Sequence, residues 1–108
     1  MKIQITSADN IPGYEITESL DVARGNTVRA RNIGRDITAL FRNIAGGEIP
    51  EYTRLMAEAR EQAIDRLIAD AERLDANAVI NLRFQSAMIM QGCCEILAYG
   101  TAVRLRKK

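Results

Sequence analysis

The chain has 108 residues, 47% of them hydrophobic and 27% charged, with a formal net charge of +1, seven glycines, two prolines and no histidine. Those values belong to one ordinary globular domain spanning 1–108, and they exclude disordered, collagen-like and repeat architectures. An even charge balance argues against a dedicated nucleic-acid binder, although residues 50–77 sum to −3 and residues 78–108 to +4.

Ile3 and Ile5 alternate with polar neighbours, the period of a half-buried strand, and Asn10, Pro12 and Gly13 read as the turn that ends it. A second extended region starts at Tyr14 and carries Ile16, Leu20, Val22 and Val28, with Gly25 and Asn26 predicting a bulge or tight turn within it. The period then changes. Ile33, Ile37, Leu40, Phe41 and Ile44 recur at three and four, which predicts a short helix near 34–45 stopped by Gly46 and Gly47.

Pro50 opens the longest element, a helix over about 50–74. Tyr52, Met56, Ala59, Ala63, Leu67 and Leu74 form one apolar row, and Ile64, Ile68 and Ala71 a second, displaced around the axis. Two rows exceed the single stripe that a helix lying on one sheet requires, so a second packing partner is expected. Arg54 with Glu58 and Arg66 with Asp70 sit one turn apart on the wet face.

After a turn at Asp75, Ala76 and Asn77, a strand is predicted with Ile80, Leu82 and Phe84 on one face. The last strand runs from Glu95 to about Arg106, with Leu97, Tyr99, Val103 and Leu105 opposite the small residues Ala98, Gly100 and Ala102. Small residues allow close approach. The fold class is therefore α+β, β-β-α-β-β, with one long helix on an antiparallel or mixed sheet.

Without histidine the chain lacks the commonest general base and the commonest metal ligand. No glycine-rich phosphate loop is present, so no nucleotide cofactor has a seat and the chain reads as a protein that is not an enzyme. The longest uncharged stretch, Phe84 to Cys94, is 11 residues, short of the ~20 that cross a bilayer. The amino terminus enters strand alternation directly, without an apolar leader region, so a cytoplasmic location is expected and a membrane partner is not.

Four sulfurs crowd into seven residues at Met88, Met90, Cys93 and Cys94. Adjacent cysteines do not staple distant segments. Thiolates and thioethers select soft ions, and these four side chains are the candidate ligands for Cu or Zn. The alternative is that all four fill space as small hydrophobes.

The motifs IPGYEI at 11–16, RARNIGRDI at 29–37, RNIAGGEI at 42–49, DANAVINLRF at 75–84 and LAYGTAV at 97–103 together resemble the YbjQ-like family of small prokaryotic proteins. The resemblance implies a strand, strand, helix, strand, strand domain that assembles into a ring-like homo-oligomer, a pentamer, and it supplies no activity or ligand set. Tyr52, Met56, Ile64, Ile68, Tyr99 and Gly100 are the candidate interface residues. Asn81 stands where the family more often has glycine, and Met88 to Cys94 lie in its variable hairpin. The expected function is a non-enzymatic oligomeric binding or scaffold protein, with a soft-metal buffer or sensor as the alternative.

Overall fold

The computed structural model describes residues 2–30, 50–90 and 93–108, so the predicted short helix near 34–45 lies outside the described residues. Four strands and one helix follow in the order β1 (Gln4–Ile5), β2 (Tyr14–Ala30), α1 (Pro50–Arg73), β3 (Ala78–Met90) and β4 (Cys93–Lys107). One mixed sheet holds the strands in the order β1-β3-β4-β2. β4 lies antiparallel between β2 and β3, and β1 pairs parallel with the start of β3. The fold class and element order are those the sequence predicts. The helix begins at the predicted proline and ends one residue early.

Its end is built as the turn residues suggest. Asp75, at φ 65°, takes the left-handed position after the helix, while the Ala76 amide donates to the Ala71 carbonyl at 3.0 Å and the Asp75 amide to Glu72 at 3.0 Å. This pair of bonds satisfies carbonyls that helix geometry leaves unpaired. Asn77 then ties the turn to β4. Its amide nitrogen donates to the Leu105 carbonyl at 3.0 Å, and its amide oxygen accepts from the Leu105 N–H at 2.7 Å.

α1 lies on one face of the sheet and buries Ala59, Ala63, Leu67 and Ala71, four residues spaced one turn apart. Ala71 thus belongs to the buried row and not to the second row expected for it. Beneath the helix stand Ala23, Gly25, Ala98 and Ala102, equally small. Small facing small brings helix and sheet very close. A Cβ placed on Gly25 would lie 2.7 Å from the Arg66 carbonyl carbon and nearer still to the Leu67 nitrogen and the Ala63 oxygen. Gly25 therefore marks the helix crossing, not the predicted bulge or turn.

The bulges in β2 lie earlier, between Ile16 and Glu18 and between Ser19 and Asp21. Each extra residue flips the side chains that follow to the other face. Leu20 consequently packs into the core under α1, while Val22 and Val28 turn away from it and are exposed. A comparable irregularity in β3 places Asn81 and Leu82 opposite Gly100 alone, with Asn81 at φ 56°. Ile80 then joins Ala78, Val103 and Leu105 in a small second core covered by Ile11 and Tyr14, while Leu82 packs under α1. The predicted common face of Ile80, Leu82 and Phe84 is broken at that point.

Candidate functional site

Successive residues of a strand project to opposite faces. Cys93 and Cys94 are the first two residues of β4, so their thiols diverge and do not meet at one ion. The register divides the four sulfurs into two pairs. Met88 stands opposite Cys94 and Met90 opposite Cys93, with an irregularity between the two pairings that inserts Ile89. Cys94 shares its face with Ile96 and α1 and is 9% exposed, whereas Cys93 lies on the other face and is half-buried. Both thiols are free. Among the described residues no three cysteine, aspartate or glutamate side chains gather into a metal-holding group. Zinc asks for about four ligands and is therefore not served by either pair alone.

The candidate interface residues are dispersed. Met56 and Ile68 pack against the main core and Ile64 is half-buried on the helix flank. The Tyr52 side chain lies outside the described residues. Gly100 is fully enclosed within its own chain. A Cβ there would stand 2.7 Å from Val79 Cγ1 and 2.8 Å from the Ile80 carbonyl oxygen, so the close approach expected at this small residue is made by β3. Tyr99 remains half-buried on the face away from α1, beside Val22, Arg24, Gln85 and Leu97 in a shallow depression.

The two sheet edges differ. Along β2, side chains of α1 reach the outer edge: the Arg24 N–H donates to Asp70 Oδ2 at 2.9 Å, and Arg66 Nη1 donates to the Asn26 carbonyl at 2.7 Å. Arg66 thus caps a strand and not the predicted Asp70. Asp70 instead binds Arg73, with Nε and Nη2 both on Oδ1. The Arg24 N–H holds the Asp70 carboxyl below the ordinary carboxylate range; burial opposes this and Arg73 adds to it.

The outer edge of β3 is covered by β1 and the segment after it only as far as Leu82, whose N–H donates to the Thr6 carbonyl at 3.0 Å. From Arg83 to Met90 no described strand pairs with that edge, and every residue is exposed. Phe84 is 44% exposed, Met88 74%, Ile89 53% and Met90 64%. Sequence reasoning missed this surface because it grouped Phe84 with Ile80 and Leu82 on one face. The uncharged run Phe84–Cys94 is the signal that marks it.

None of the described helices is long and apolar enough to cross a membrane. The model of a family described as "Putative heavy-metal-binding" matches residues 3–106. A "UPF0145 protein" of Halorubrum lacusprofundi is 56% identical over 104 residues, 96% of this chain and 100% of that protein. Another "UPF0145 protein", from Thermosipho africanus, is 52% identical over 103 residues, 95% of each chain. A crystal structure of a protein of unknown function from Pediococcus pentosaceus matches with a TM-score of 0.68 and 18% identity over 96% of this chain and 98% of that one, which shows the fold alone. The chain belongs to this YbjQ-like family.

Proposed function

We propose that this member of the YbjQ-like family is a non-enzymatic binding protein that works as a homo-oligomer, its copies meeting over the outer half of β3. The observation that carries the reading is the exposed run Phe84, Met88, Ile89 and Met90 on a strand whose edge has no described partner beyond Leu82. Monomeric proteins rarely leave apolar patches of this kind uncovered, and they protect free edges with charge, proline or bulges. β3 has no charge after Arg83 and no proline. A second copy is the occupant that is always at hand, and the family resemblance expects a ring of five.

Native mass tests the reading. Five copies of the 12.0 kDa chain give about 60 kDa. Light scattering at micromolar concentration should show such a multiple, and replacing Phe84 and Ile89 together by Lys should lower it while far-ultraviolet circular dichroism is retained. A stable species of one chain mass in the wild type overturns the proposal.

A second reading, soft-metal binding, has an observation of its own: each cysteine stands opposite a methionine in the strand register. The family description agrees with it, and residues 88–94 give it a chemical basis in this chain.

A further inference from the structure

We propose that the hairpin sulfurs form two separate sites for Cu(I), one on each face of the sheet, each made of one cysteine thiolate and one methionine thioether. The inference rests on the soft-metal reading and not on assembly. Cys94 and Met88 make the site on the α1 face, and Cys93 and Met90 the site on the opposite face.

Three physical points lead there. Directly opposed residues in an antiparallel pair have Cβ atoms about 4.5–5.5 Å apart. Two metal–sulfur bonds of about 2.3 Å laid end to end span roughly 4.6 Å, so a two-coordinate ion fits between such side chains with the flexible methionine making the adjustment. Charge then selects the ion. Binding displaces the thiol proton to solvent, and one thiolate with one Cu(I) is neutral, which suits Cys94 at 9% exposure with Arg29 of β2 directly opposite it. A divalent ion would leave a positive charge in the same place and require donors that are not there. On the other face Glu95, two residues along β4 from Cys93, already accepts from Asn26 Nδ2 at 3.2 Å, leaving Cys93 and Met90 as the soft pair. Met88 and Met90 are 74% and 64% exposed in the single chain, so the thioethers are open to an ion that arrives before copies meet over this strand.

The test titrates the reduced full-length protein with Cu(I) under anaerobic conditions against a colorimetric Cu(I) chelator, with native mass recorded on the same samples. Wild type should hold two equivalents per chain, Cys93→Ser one, Cys94→Ala one, and the double variant none. Met88→Leu, a change at an exposed position, should weaken only the site that Cys93→Ser retains, and Met90→Leu only the other. Wild type binding one equivalent that either single cysteine variant abolishes refutes the two-site arrangement while leaving the soft-metal reading standing. No binding by wild type, or undiminished binding by the double variant, overturns both.

Discussion

Replacing Gly25 by alanine adds one methyl group at the tightest point of the molecule. The new Cβ would lie 2.7 Å from the Arg66 carbonyl carbon and closer to the Leu67 nitrogen and the Ala63 oxygen, all of them backbone of α1. Ordinary carbon contacts need roughly 3.5–4.0 Å. A side chain can rotate aside, but a hydrogen-bonded helix has to move as a body, lifting Ala59, Ala63, Leu67 and Ala71 from the sheet together. Overpacking costs ~1–3 kcal/mol, and an obstacle made of backbone places Gly25→Ala at about 3 kcal/mol. For a domain of this size that is a fall in Tm of roughly 10–20 °C. Thermal unfolding by circular dichroism, at one fixed protein concentration so that assembly contributes equally, measures it. A fall of less than about 3 °C refutes the close packing of helix on sheet.

At Asn81, whose φ is 56°, Asn81→Gly should leave Tm unchanged or slightly raised, while Asn81→Val should cost ~1–2 kcal/mol because a branched side chain resists the left-handed region; equal melting of the two variants contradicts this. The Asp70 carboxyl is held below its ordinary range chiefly by the Arg24 N–H. Its stabilisation is therefore complete above its unfolded value of about 3.9 and is lost as pH falls through the lower folded value. Asp70→Asn should cost about 1.5 kcal/mol near neutrality, the low end for hydrogen bonds to a charged group. That difference should shrink in acid, and urea unfolding at several pH values should show the two proteins converging below about pH 4.

Within the described residues, the elements that periodicity announces strongly are ones the fold contains. Pro50, the small-residue spacing of α1 and the αL-tolerant turn at Asp75 locate the helix almost to the residue. Face assignments in β2 and β3 were not legible, because bulges at Thr17, Leu20 and Asn81 shift the alternation and no pattern of apolar residues announces an extra residue. Val22 and Val28, apolar residues of the predicted extended region, face away from the core for a second reason. The helix sits too close for valine, so the true inner row is Ala23, Gly25 and Thr27, which sequence inspection passes over as weakly apolar. At the sulfur cluster, adjacency in sequence suggested four side chains at one place, and the pleat instead turns Cys93 and Cys94 to opposite faces, each opposite a methionine.

The unequal treatment of the two sheet edges bears on how copies can meet. On β2 the middle of the outer edge has its donor at Arg24 and its acceptor at Asn26 taken by Asp70 and Arg66 of α1. The first half is interrupted by bulges and carries Glu15, Glu18 and Asp21, with Glu15 paired to Arg106. Each of these features discourages another strand from adding there. Beyond Arg83 β3 has no charge and no proline, and its one irregularity lies near its end, at Ile89. With one edge protected and the other without a described partner beyond Leu82, the proposed assembly has a single preferred docking strand among the described residues, and that limits growth by repeated edge addition at both sides. The open strand is also the one that carries Met88 and Met90. Since thioethers are neutral and apolar, they add to the exposed patch without charging it, so residues suited to a soft ion and residues suited to burial between copies are the same residues.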